Sequence, residues 1–276
     1  MKYSKAEIVL FQLLKGVQSV EPGLLNQVDQ EELLMLLQRH RLLSLSGEIK
    51  NQLERGFQKQ LKTLTLQQTM IALKLFAETT NLIEKFQKEE IIAIPLKGGF
   101  LGYQLYKDPG ERHFNDIDLL VNLEDLQKVK EVLSKQGYQQ AYPNKLTPRQ
   151  ERIYRFYKKD IGLRNPEKNV FIELHYGFYV HRLLRKRDEA LLRKNIESII
   201  ISGKEYKTLD PETTFFYLVF HGCLHQYFRL FWLKDIADWM QVKDLDYVKV
   251  KKLFNATGLN RMLFVTLELL KDYFDK

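Results

Sequence analysis

The chain has 276 residues, enough for one large domain or two closely packed ones, and 45% of them are hydrophobic, so a sizeable core is expected. No apolar run approaches the length of a membrane span, and the single cysteine, Cys223, excludes an intramolecular disulfide framework and fits a reducing cytoplasm. A net charge of +8 favours anionic partners such as nucleotides, phosphorylated substrates, nucleic acid or an anionic membrane surface, although solvated lysines account for it equally well.

Residues 1–90 read as a helical region. "QEELLMLLQRHRLL" and "LQQTMIALKLFAETTNLIEKFQ" repeat apolar residues at helical spacing. The first residues, "MKYSKAEIVLFQLLKG", lack a small-residue cleavage site and read as an amphipathic helix rather than a signal peptide. The pattern changes at "EEIIAIPLKGGF". Ile91 to Leu96 is a short apolar run predicted to form a strand, closed by a tight turn at Gly98-Gly99. A short helix over "FLGYQLY" and a loop over "KDPGERHFN" follow, and then a strand from Asp116 to Val121. Asn122 is expected to cap the next helix, which stops at Gly137. Two extended runs flank the turn "RNPEKN", giving a hairpin that ends in the strand Val170 to Tyr176, and the alternation of "RIYRFYKK" is read as strand. "SIIISGKEYKTL" is a further strand pair. Asp210-Pro211-Glu212 opens a helical region that runs to Lys276. The expected order is a helical region over 1–90, a small mixed α/β core over 91–209 and a helical region over 210–276.

The chemistry concentrates in that middle region. Residues two apart on a strand point to one side, so Asp116 and Asp118 are expected to share a face while Ile117 and Leu119 enter the core. Two adjacent carboxylates repel unless a cation stands between them, and a hard divalent ion, Mg²⁺ or Mn²⁺, suits carboxylate oxygens. Glu173 is the only acid in the apolar strand "VFIELHY" and would complete a three-carboxylate site if that strand lies beside the first. The competing readings are a loop-edge capping pair for the two aspartates and a buried salt bridge for Glu173. Lys97, Gly98 and Gly99, between a strand and a helix, can bring backbone N–H groups and one positive charge to an anion.

"LKGGFLGYQLYKDPGERHFNDIDLLV" resembles the signature of the nucleotidyltransferase superfamily typified by DNA polymerase β: glycines after an apolar residue, a spacer, then Asp-x-Asp in an apolar strand. The chain is most similar to the bacterial family of uncharacterised nucleotidyltransferases, through "LKGG", the arginine of "ERHFNDIDLLV", "IELHY" and the late segment "FHGCLHQYFRLFWLKDIADW". The resemblance implies an α+β fold: a small mixed-sheet nucleotidyltransferase core between helical regions. It further implies that Gly98 and Gly99 hold nucleotide phosphates, beside which Lys97 and Arg112 are read by their charge as nucleotide-binding. Asp116 and Asp118 would bind metal, and Glu173, the third acid, would also help to activate the attacking hydroxyl. The spacer from Gly99 to Asp116 is longer than in the smallest members of the superfamily.

Other residues keep two readings each. Arg112 either binds phosphate or neutralises the aspartates; His113 is expected at the surface. His175 shares the face of Glu173 and either lines the cleft or is a satisfied core histidine. His221 and His225 have the spacing of zinc-protease histidines, but Gly222 stands where the glutamate is required, so zinc hydrolysis is rejected. If their helix continues, Arg229, Trp232 and Asp235 join that face and either line the cleft or form a buried polar network. The basic run from His181 to Arg187 is read as a solvated face, and nucleic acid is not the favoured partner. The expected activity is Mg²⁺-dependent transfer of a nucleotide from an NTP, ATP foremost, to a hydroxyl acceptor in the cytoplasm, without membrane insertion. The alternatives are a non-catalytic nucleotide-binding or partner-binding module of the same fold, and an Asp-x-Asp glycosyltransferase. The acceptor, the oligomeric state and the role of the N-terminal helices are not legible in the residues.

Overall fold

The computed structural model describes residues 3–21, 23–49, 52–143, 146–178 and 192–274. The chain packs as two units, Met1–Thr69 with Phe215–Lys276, and Met70–Thr214.

The first unit begins with α1 (Lys5–Lys15), whose start is tied by a reciprocal box: Ser4 accepts from the Glu7 N–H and Glu7 accepts from the Ser4 N–H. Asp29 caps α2 (Gln30–Arg39) by accepting from the N–H groups of Glu31 and Glu32. The short α3 (Ser46–Ile49) follows, and then α4 (Arg55–Lys88), a 34-residue helix whose residues from Met70 onward belong to the second unit.

The second unit carries the strands. β1 (Ile94–Pro95), α5 (Gly98–Tyr106), β2 (Ile117–Leu120), α6 (Leu126–Lys135), β3 (Gln139–Tyr142), α7 (Pro148–Tyr157), β4 (Asp160–Asn165) and β5 (Val170–His175) build one sheet with flanking helices. The strand order is β1-β2-β5-β4-β3, and β2 and β5 are its one parallel pair; the other neighbours run antiparallel. A separate hairpin, β6 (Ile196–Ile201) and β7 (Lys204–Leu209), completes the unit's strands. This is the small mixed sheet expected from the sequence. Ile117, Leu119, Ile172, Leu174, Ile161 and Leu163 share one core with Leu75, Leu82 and Phe86 of α4 and Val129 and Leu133 of α6. Burying that face fixes the strand register, since a slip of one residue would turn every apolar side chain outward. α6 stops where Gly137 takes φ +82°, with its N–H on Ser134 and that of Tyr138 on Leu133, the paired C-terminal bonds that a left-handed glycine permits.

Several local expectations are corrected. The first strand is only Ile94–Pro95 rather than Ile91 to Leu96. Asn122 does not cap α6; its amide donates to Asp125, and the helix begins at Leu126. "RIYRFYKK" is not a strand: residues 152–157 lie in α7, opened by Pro148 and a Thr147–Gln150 capping box. A threonine-x-x-glutamine start was present in the sequence and outweighs two-residue alternation on a solvent-facing helix. The basic run at 181–187 lies outside the described residues.

The chain then returns to the first unit through α8 (Pro211–Leu224), whose first turn is held by Asp210 accepting from the Thr213 N–H at 2.8 Å. α9 (Phe231–Val242), α10 (Tyr247–Thr257) and α11 (Asn260–Phe274) follow. Within this unit α1 packs on α2 and α11, and α11 also meets α9 and α10. Among the described residues no helix is long and apolar enough to cross a membrane.

Candidate active site

The site is built by the register of β2 on β5. Asp118 and Glu173 are Cα partners across this parallel pair, as are Leu120 and His175. Glu173 and His175 stand two apart on β5 and therefore share its face. One ligand atom from each of Asp118, Glu173 and His175 lies within 4.8 Å of the others. β1 brings the third side of the site. It runs antiparallel to β2, and its ladder ends with the Leu96 N–H on the Asp118 carbonyl at 3.1 Å. The next residue is Lys97, and α5 starts at Gly98.

The charges interlock. Lys97 Nζ lies 3.1 Å from Asp118 Oδ1, and His175 Nε2 lies 3.2 Å from the same oxygen and 3.6 Å from Glu173 Oε2. His175 is buried; burial and the nearby Lys159 push its pKa down, but its contacts with Asp118 and Glu173 outweigh them and hold it above the ordinary value. Contact with His175 holds the Glu173 carboxyl below the usual range, against burial and the charge of Asp118. His175 Nδ1 faces Asp160 Oδ2 at 3.7 Å, an ion-pair distance longer than a hydrogen bond. Lys159 Nζ is 4.0 Å from the same Asp160 oxygen, and its pKa is lowered chiefly by burial. Neither Lys159 nor Asp160 stands out in the sequence; the pairing of Asp160 with His175 across β4 and β5 is what brings them here.

The two glycines answer to packing. Gly98 has φ +67°, and a Cβ on it would stand 3.1 Å from the Phe114 ring. A Cβ on Gly99 would meet Phe76 at 2.6 Å. α5 therefore starts close against its neighbours, with its first backbone N–H groups unpaired within the helix. Arg112 is 5% exposed, its Cβ packed over Gly102. His113 is buried at 5% as well, which corrects the surface reading.

Asp116 precedes β2 rather than forming part of it, and it is half-buried. Among the described residues, the group of mutually close ligand atoms is Asp118, Glu173 and His175.

His221, His225 and Arg229 belong to the other unit. The helix that was to carry them onward ends at Leu224, and Gln226 and Tyr227 take φ +53° and +48° before α9 begins. The rings nevertheless cluster: His221 and His225 are 4.6 Å apart, Trp232 packs on both, and Arg229 lies over Phe228. Gly222 is required by packing, because a Cβ there would overlap the Tyr227 ring.

A model of the uncharacterised nucleotidyltransferase family matches residues 26–275. The chain belongs to that family. Among solved structures, the family member is similar to the antibiotic-resistance factor ANT(2'')-Ia, at 11% identity and TM-score 0.43 over 74% of this chain and 96% of the other. It is also similar to an antigenic nucleotidyltransferase-like protein from Paracoccidioides brasiliensis, at 17% identity and TM-score 0.40 over 75% and 91%. With scores below 0.5, neither adds to the assignment. No curated protein matches the chain.

Proposed function

We propose that the chain transfers a nucleoside monophosphate from an NTP, ATP foremost, to an acceptor hydroxyl and releases pyrophosphate. The observation that carries this reading is the pairing of Asp118 with Glu173 beside Lys97 and the first turn of α5. Carboxylates next to a lysine and a helix start suit a polyphosphate with its cation.

The donor set fits Mg²⁺ or Mn²⁺ through its oxygens. Asp118 and Glu173 would hold the ion, with Asp116 a candidate third ligand by resemblance. His175 offers nitrogen and is engaged with both carboxylates, so it is assigned as their counter-charge. When bound, the ion neutralises the triphosphate and aligns its α-phosphorus.

Lys97, Arg112 and the N–H groups of Gly98 and Gly99 bind the phosphates. Glu173, whose carboxyl is held below the usual range by contact with His175, takes the proton of the acceptor hydroxyl. The acceptor oxygen bonds to the α-phosphorus, the bond to the bridging oxygen breaks, and pyrophosphate leaves with that electron pair. Positioning and charge stabilisation supply most of the rate.

Calorimetric titration with Mn²⁺ and each NTP tests the site. Wild type is expected to bind metal–nucleotide and Asp118→Asn to lose it; equal binding by both removes the assignment. Labelling of a cell extract with α-³²P-NTP tests the transfer. Binding without labelling would favour a non-catalytic nucleotide-binding module, and preference for a UDP-sugar would favour glycosyl transfer.

A further inference from the structure

The carboxylate face of the sheet carries a tyrosine that the chemistry above leaves unused. Asp118, Glu173, Gly162 and Tyr142 are successive Cα partners across β2, β5, β4 and β3. Partnered residues present their side chains on the same face, so these four form one row. Gly162 contributes no side chain. A Cβ there would overlap the Tyr142 ring, so the tyrosine lies over the glycine, with Phe171 5.9 Å from it on the same face.

Tyr142 reaches this face only because β3 is irregular. Gln140 pairs with Leu163, yet Tyr142 pairs with Gly162, so two residues of β3 answer one step of β4. In an unbroken ladder Tyr142 would stand opposite Ile161, which is buried in the core on the other face. The extra residue turns the ring over to the acids, the re-aiming that a bulge performs beside functional sites. Burial first, and then the charges of Glu173, Asp160, Tyr154 and Asp118, hold the phenol above its ordinary pKa, so it remains a proton donor facing the carboxylate cluster.

We infer that Tyr142 is the acceptor-binding residue of this site, its hydroxyl donating to the acceptor oxygen and holding it against Glu173. The acceptor then enters from the β3 side, past the Tyr142 hydroxyl, while the nucleotide occupies the Lys97 side. The inference rests on the nucleotidyl-transfer reading and adds the direction from which the acceptor comes.

Tyr142→Phe removes the hydroxyl and keeps the ring. The experiment measures α-³²P-ATP labelling against a dilution series of cell extract, which supplies the acceptor, and separately against ATP concentration. Tyr142→Phe is expected to raise the extract concentration for half-maximal labelling about 10-fold, the effect of one lost hydrogen bond to a substrate. Mn²⁺·ATP binding and the KM for ATP should stay within about twofold, a margin far below that loss. Gly162→Ala, which displaces the ring, should move the same parameter. Wild-type dependence on extract in Tyr142→Phe would overturn the inference, as would equal losses on the ATP side. If wild type binds Mn²⁺·ATP but labels nothing, the transfer reading itself fails and takes the inference with it, an outcome the wild-type control tells apart from the first.

Discussion

His175 Nε2 lies 3.2 Å from Asp118 Oδ1, and both side chains are 2% exposed. A buried carboxylate beside a second one needs a compensating charge; Lys97 supplies one, and this imidazole, whose pKa its contacts with the carboxylates raise, supplies another when protonated. Removing one partner of a buried pair leaves the other uncompensated, which costs roughly 3 kcal/mol. His175→Ala is therefore expected to lower unfolding stability in urea by about that much. Saturating Mg²⁺ should restore more stability to the variant than it adds to wild type, because the ion replaces the lost charge. Equal Mg²⁺ effects on the two proteins would refute the counter-charge role.

The glycines at the head of α5 make a second prediction. Gly98 has φ +67°, and a Cβ on it would press on the Phe114 ring at 3.1 Å, closer than ordinary van der Waals contact. Gly98→Ala is expected to cost about 1–2 kcal/mol, the penalty of a left-handed residue with a side chain. It should also weaken Mn²⁺·ATP binding, since the first N–H groups of the helix must shift with Phe114. A stability loss with unchanged nucleotide affinity would separate the fold role of this glycine from the proposed binding role.

Gly222 gives a third. The Tyr227 ring occupies the space of a side chain there, and Tyr227 Oη is bonded to Thr266 Oγ1 at 2.7 Å, so the ring is not free to swing away. Gly222→Ala is expected to destabilise the helical unit by about 1–3 kcal/mol through overpacking. Gly222→Glu should fold worse still and acquire no zinc-dependent hydrolysis, read by peptidase assay with added Zn²⁺. An unchanged midpoint for the alanine variant would count against the packing described.

His40 sets a pH dependence. Its Nδ1 accepts from the Leu230 N–H at 3.2 Å, which requires that nitrogen unprotonated. Burial first, then the charges of Arg39 and Arg229, hold its pKa below 6.5. The unfolded chain thus binds a proton before the folded one does. Stability from this group is complete above 6.5 and falls as the pH drops below that value toward the folded pKa. Denaturation midpoints between neutral and mildly acidic pH should decline in wild type and less so in His40→Ala. Parallel declines would exclude His40 as the source.

The helix start at Asp210-Pro211, the hairpin around "RNPEKN" and the stop at Gly137 were legible because each depends on a few neighbouring residues. α7 was misread since aromatics alternating with bases on a helix mimic strand alternation, although its capping box was in view. His113 could not be placed, because burial of a polar ring is decided by what packs over it.

The sequence by itself determined the family, where the acids, the glycines and the lysine stand along the chain, and a small mixed sheet between helical regions. Only the tertiary structure decided which of them meet. β5 lying parallel to β2 pairs Asp118 with Glu173 and brings His175 onto Asp118, while Asp116 falls before the strand. One extra residue in β3 turns Tyr142 from the core face to the acids. Register rests on burying an apolar face against distant elements, and a shift of one residue reverses every side chain, so no local pattern contains it.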